Sequence, residues 1–172
     1  ASFSVVVDAS NVDDCTLTAE CDSDWSVGHS TTGFLLLLAG IAVVYSSKRQ
    51  PCIALSSTEA EIIAASACAC EIVYVRTLLA EAGLPQDEPT PLGVDNKGAI
   101  ELARDRKSCH RSRHVDRRFF KVRELEAVGA LKVHFVPTAD NRADILTKGL
   151  PLADFRRHRA ALWQPAHAPS ER

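Results

Sequence analysis

Apolar and polar residues recur with one spacing in the first third of this chain and with another in the rest. Cys15 to Asp22, Gly33 to Leu38 and Ala42 to Ser46 are apolar or β-prone and are bounded by polar or glycine positions, which predicts three consecutive strands in an antiparallel meander. The pattern then turns helical. Ser56-Ser57-Thr58-Glu59 has the spacing of a capping box, and Ala60 to Ala82 is rich in Ala, Leu, Ile and Glu with no Pro, so a long helix is expected. Gly83, Pro85 and Pro89 close it.

Strand and helix alternate from there. Pro91 to Val94 reads as a short strand leading into Asp95, Asn96 to Ala103 as a short helix, His114 to Val128 as a helix closed by Gly129, and Ala130 to Val136 as a strand before Pro137. Asn141 to Lys148 is expected as a last core helix, and Leu152 to Trp163 as an amphipathic helix before a tail containing Pro and Ser. This order predicts an α/β fold. Its five-stranded mixed sheet would have three antiparallel strands followed by parallel ones, with helices on both faces.

Composition narrows the picture. With 172 residues, 46% of them hydrophobic, the chain fits one domain with a sizeable core. Residues 15–150 are expected to form it, with 1–14 as a connecting segment and 151–172 as a C-terminal helix and tail. The longest apolar stretch, Gly33 to Tyr45, is too short to span a bilayer, and no basic region precedes a cleavable apolar segment, so no membrane partner or targeting signal is expected. The six cysteines lack the paired spacing of a zinc site or a secreted disulfide scaffold and read as reduced thiols in an intracellular protein. Cys68 and Cys70 project about 200° apart on a helix, which favours packing over ligation. The lack of any Met is the expectation of a cut point at Ala1 within a longer polypeptide.

Charge is uneven. A net charge of −2 excludes a uniformly basic nucleic-acid binder, yet Arg104 to Arg123 holds nine Lys or Arg against Asp105 and Asp116. That stretch is the expected phosphate-binding surface, with a solvated helix face as the plainer alternative. Trp25 and Trp163 are read as completing the core rather than stacking on bases.

Four acids fall where the predicted order would bring them together: Asp22 at the end of the first strand, Glu61 in the first helix, Asp95 at the end of the fourth strand and Asp144 in the last core helix. Alone, each reads as a strand end, a cap or a solvated side chain. Together they repel one another unless cations intervene, and an all-oxygen set suits Mg²⁺. Two such ions roughly 3.5 to 4 Å apart would serve phosphodiester hydrolysis.

The motifs carrying these acids are Cys21-Asp22-Ser23-Asp24-Trp25, Ala54 to Glu61, Val94-Asp95-Asn96-Lys97-Gly98-Ala99-Ile100 and Ala143-Asp144-Ile145-Leu146-Thr147-Lys148. They resemble, in order, the ribonuclease H domain of copia-type LTR-retrotransposon polyproteins. Ser30 to Gly33, Ser46 to Pro51, Ser112 to Asp116 and Val136 to Thr138 extend the likeness from about Leu17 to Leu162. The resemblance implies an RNase H-like fold and an endonuclease that cuts the RNA strand of RNA/DNA hybrids with two Mg²⁺ ions, Mn²⁺ being able to substitute. It implies Asp22, Glu61, Asp95 and Asp144 as the catalytic, metal-binding acids, with Glu59 as a cap. Expected partners are the hybrid and the polymerase domain of the same polyprotein, in the cytoplasm within virus-like particles.

Ser56, Ser57, Asn96, Arg111, Arg113, His114 and Arg117 are candidate nucleic-acid contacts. Asp8, after Val5-Val6-Val7, rivals Asp22, but a strand there would add one too many to the meander. Asp24 ranks second to Asp22, with which it would share a strand face. The sequence departs from related enzymes in two places: Val136 to Asp144 has no His where many cellular enzymes carry a mobile one, and Gly28-His29 replaces an expected charged pair. The competing readings are a catalytically silent hybrid-binding tether, and a DNA nuclease or polynucleotidyl transferase of the same fold.

Overall fold

The computed structural model describes residues 15–26, 28–104 and 113–162, without the side chains of 102–104, 113–116 and 119. Asp8, Arg111 and Trp163 therefore lie outside the described residues. Five strands form one mixed sheet: β1 (Leu17–Asp24), β2 (Thr31–Leu38), β3 (Ile41–Arg49), β4 (Thr90–Val94) and β5 (Leu131–Phe135), in the order β3-β2-β1-β4-β5. The pairs β1-β2 and β2-β3 are antiparallel, and β1-β4 and β4-β5 are parallel.

The apolar run in β2 is buried on both sides because its residues alternate between two cores. Phe34 and Leu36 point to the larger core, while Leu35 and Leu37 point to the smaller. The larger core is covered by α1 (Ser57–Glu81), α2 (Lys97–Arg104) and α3 (Arg113–Ala127), which contribute Ile62, Ala65, Cys68, Ile72, Ile100, Val122 and Leu125. Cys68 is buried and Cys70 exposed, as their opposed helical directions require. By length and composition α1 could also cross a bilayer; in this fold half of its most apolar window is buried within the domain.

Local signals set the helix ends. Ser56 caps α1, its hydroxyl accepting from Glu59 N at 3.2 Å, while Glu59 Oε2 accepts from Leu55 N. Gly83, at φ 81°, turns the chain out of α1 in a conformation a side chain would strain, and Leu84 N donates back to Leu79 O.

Within the segment expected as a core helix, Asn141 to Lys148, Arg142–Leu146 is instead a 3-10 turn, and a second one, Thr138–Asp140, precedes it. Asn141 breaks the path: its backbone is extended, and its side chain accepts from Ala143 N in place of a helical bond. These turns and α4 (Leu152–Ala161) cover the second face, where Ala143, Leu146 and Leu162 meet Leu35 and Leu37. The strand β1 also runs two residues past Asp22, because Ser23 and Asp24 pair with Thr32 and Thr31. Trp25 does not complete the core: it is 56% exposed and anchored through Nε1 to Ala54 O.

Candidate active site

Parallel pairing aligns the ends of β1 and β4. Ala19 lies opposite Leu92 and Glu20 opposite Gly93, so the same register carried two residues further sets Asp22 level with Asp95. Strand order reverses between these two strands, and the crevice outside the carboxyl ends at such a reversal is where open α/β sheets bind ligands. Glu61, in the second turn of α1, enters from the larger-core side. Carboxylate oxygens of Asp22, Glu61 and Asp95 all lie within 4.8 Å of one another.

Each acid has its own support. Glu61 Oε1 accepts from the Ser23 backbone N–H at 3.1 Å and from the Ser23 hydroxyl at 2.9 Å, while Glu61 Oε2 is buried with no hydrogen-bond partner among the described residues. Asp22 Oδ2 accepts from the Thr147 hydroxyl, while the Thr147 backbone N–H donates to Asp144 O at 3.2 Å. The Thr138 side chain stands close enough to the Asp95 carboxyl to favour its charged form. Asp144 is buried beside Asp22, with which its carboxyl interacts, but its Oδ1 faces Lys148 Nζ at 2.9 Å. Three of the four predicted acids thus converge, and the fourth stands next to them, paired with a cation.

Two clamps fix the turn bearing Asp144. Asn141, fully buried, donates from Nδ2 to Cys21 O at 2.9 Å, and Glu20 accepts from the Arg142 backbone and guanidinium. Gly33, opposite Asp22 in β2, leaves room for the turn. A Cβ there would stand 2.6 Å from Thr147 Cγ2 and 2.9 Å from Leu146 Cβ.

Proximity of like charges in a dry setting raises proton affinity. Burial first, then the charges of Asp22 and Asp95, pushes Glu61 up to about 8 against the Ser23 hydrogen bonds. Burial also lifts Asp22 to about 6, opposed by the Thr147 bond and helped by the Asp144 charge. Asp95, half-buried, is raised by the same burial. Burial works against the Lys148 charge, but its contact with Asp144 and the charges of Asp22 and Asp95 outweigh that and raise its affinity for a proton.

Asp24 lies outside the three-way cluster; its Oδ1 accepts from Thr31 N and locks the end of the hairpin. Among the candidate nucleic-acid contacts, Ser56 is occupied as the α1 cap, Ser57 is exposed one turn before Glu61, and Asn96 Oδ1 accepts from Ala99 N at the start of α2. Arg113 and His114 open α3, and Arg117 is exposed further along it. Sequence reasoning missed Ser23, Thr138, Asn141, Thr147 and Lys148 as supports. All but Asn141 stand inside motifs already singled out for other reasons.

No family model matches the chain. It is 39% identical over 126 residues, 73% of its length, to the retrovirus-related Pol polyprotein from transposon TNT 1-94 of Nicotiana tabacum. It is 33% identical over 144 residues to that from transposon RE2 of Arabidopsis thaliana. The chain spans 9% and 10% of these polyproteins. Among solved structures it is similar to LC11-RNase H1, isolated from compost by a metagenomic approach. The TM-score is 0.61 at 16% identity, covering 77% of this chain and 93% of that one. LC11-RNase H1 in complex with an RNA/DNA hybrid superposes at a TM-score of 0.51, with 14% identity and 77% and 94% coverage.

Proposed function

We propose, for a chain that belongs to the RNase H-type domains of copia-type, retrovirus-related Pol polyproteins, that it hydrolyses the RNA strand of RNA/DNA hybrids during reverse transcription. The observation that carries this reading is the convergence of Asp22, Glu61 and Asp95, from three separate elements, on a point where their oxygens lie within 4.8 Å. A soluble fold gains nothing from such a cluster by itself, since mutual repulsion and desolvation both oppose it.

The donor set fits a hard divalent cation. Every ligand on offer is a carboxylate oxygen, and the buried, unpartnered Glu61 Oε2 is an acceptor in need of a cation. Asp22, Glu61, Asp95 and Asp144 would hold two Mg²⁺ ions. Bound there, such cations would supply Lewis acidity at a phosphodiester. The protein's own groups prepare the site. Ser23 fixes the Glu61 rotamer, Thr147 fixes Asp22 and the Asp144 turn together, and Thr138 favours the charged form of Asp95. Asp95 is the most exposed of the set, so a scissile phosphate would reach it most readily.

Grip on the substrate falls to α3 and the exposed start of α1. Arg117 offers charge to phosphates without reading sequence, and Ser57 is a small polar group able to meet a 2′-hydroxyl. The nearby LC11 enzyme was solved on an RNA/DNA hybrid, which supports the same class of substrate here. Cofolding of a complete acid set with a basic helix favours catalysis over a silent tether.

The test is cleavage of a labelled hybrid by the wild type and by Asp95→Asn in Mg²⁺. Asp95→Asn is expected to lose cleavage while keeping the wild-type circular dichroism spectrum. Wild-type cleavage by the variant would remove Asp95 from the reaction.

A further inference from the structure

Lys148 follows the turn that carries Asp144, and its Nζ lies 2.9 Å from Asp144 Oδ1. The side chain of Lys148 is 41% exposed and that of Asp144 only 6%, so the aliphatic stem leads from solvent into the acidic cleft. Its backbone is anchored at both ends of that path. Lys148 N donates to Asp144 O at 3.3 Å, and the preceding Thr147 bridges Asp22, through its hydroxyl, and Asp144, through its backbone N–H. The ammonium is therefore delivered to the one acid of the four that does not join the three-way cluster of Asp22, Glu61 and Asp95.

An ammonium and a divalent cation satisfy the same electrostatic need, and two cations at one carboxylate repel each other, so each weakens the other's hold on it. We infer that Lys148 is a built-in counter-cation of the carboxylate cluster: it neutralises Asp144 when no metal is bound and competes with a metal for that carboxylate. The inference rests on the proposed metal-binding role of the same acids. It makes Lys148 a positioning residue that sets metal affinity.

Removing the charge then acts in opposite directions on the two states. Without metal, the four acids lose their internal cation and the fold weakens. With metal, a competitor and a source of repulsion has gone, and affinity rises. Because Lys148 is partly exposed, screening limits its pull, and the gain is on the order of three- to tenfold in Kd. Lys148→Arg keeps the charge and is expected to bind metal within about twofold of wild type on the same grounds.

The experiment titrates Mn²⁺ calorimetrically into the full chain as wild type, Lys148→Met and Lys148→Arg, with thermal unfolding of each in EDTA and in Mn²⁺. Tighter Mn²⁺ binding by Lys148→Met, together with a lower Tm in EDTA and a larger rise in Tm on adding Mn²⁺, is the expected result. A Lys148→Met protein unfolded in EDTA but rescued by Mn²⁺ also supports the inference, and one unfolded in both overturns it. Equal or weaker Mn²⁺ binding by Lys148→Met, with wild type binding normally, overturns this inference alone. Failure of the wild type to bind Mn²⁺ overturns it and the metal role of the acids together.

Discussion

Glu61 makes the fold's stability depend on pH in a direction opposite to that of most paired carboxylates. Its ordinary value of 4.5 is pushed to about 8, chiefly by burial and then by the Asp22 and Asp95 charges. A carboxyl whose folded value is raised holds a proton that the unfolded chain gives up, so its contribution is fully present below about 4.5 and is lost as pH rises towards about 8. Each tenfold change in proton affinity is worth about 1.4 kcal/mol, which puts the loss across this window on the order of 3–5 kcal/mol. Asp22, lifted from 3.8 to about 6, adds a smaller loss at the lower end of the range. Domains are stable by roughly 5–15 kcal/mol in total, so the effect is large enough to measure. Urea unfolding in EDTA between pH 5 and pH 8.5 should show stability falling with pH, and Glu61→Gln should remove most of the slope above pH 6. Saturating Mg²⁺ should offset the loss, because the cation takes the place of the proton. Stability that is flat or rises from pH 5 to pH 8 in EDTA would mean that the folded chain does not hold a proton on Glu61 in this range.

Gly33→Ala is expected to lower stability by about 1–3 kcal/mol, since its Cβ meets Thr147 and Leu146 across the Asp144 turn; an unchanged Tm would show that the turn has slack. Arg142→Ala leaves Glu20 buried without its guanidinium partner and should cost roughly 2–4 kcal/mol by chemical unfolding, with cleavage falling further than stability accounts for. Arg117→Ala should weaken hybrid binding equally across sequences and reduce the slope of log K against log salt by about 1. A sequence-dependent loss at Arg117 would instead point to base contacts.

Much of the sheet was legible because its signals are local. The alternation in β2 between Phe34 and Leu37, the capping box at Ser56 and the glycine after α1 each act within a few residues. What the sequence concealed depends on contacts across the chain. Asn141 reads as a helix residue until its Nδ2 finds Cys21 O, 120 positions away, and the chain is drawn into 3-10 turns. Trp25 reads as core because aromatics are usually buried, but its neighbours at the end of β1 leave it exposed. For the site, the acids stood out by residue type and motif, and the parallel register of β1 and β4 brings Asp22 and Asp95 level. Their supports were harder to see. Ser, Thr and Lys are common, and only the fold shows that Ser23, Thr147 and Lys148 point inward.

The activity proposed for this acid cluster is the cutting of RNA within a hybrid. Its most direct test is incubation of the full chain with matched RNA/DNA, RNA/RNA and DNA/DNA duplexes, each labelled on one strand in turn, in Mg²⁺, Mn²⁺ or EDTA. The expected result is cutting of the RNA strand of the hybrid alone, present in either metal and abolished by EDTA. Cutting of DNA/DNA, or hybrid binding with no cutting in either metal, would contradict it.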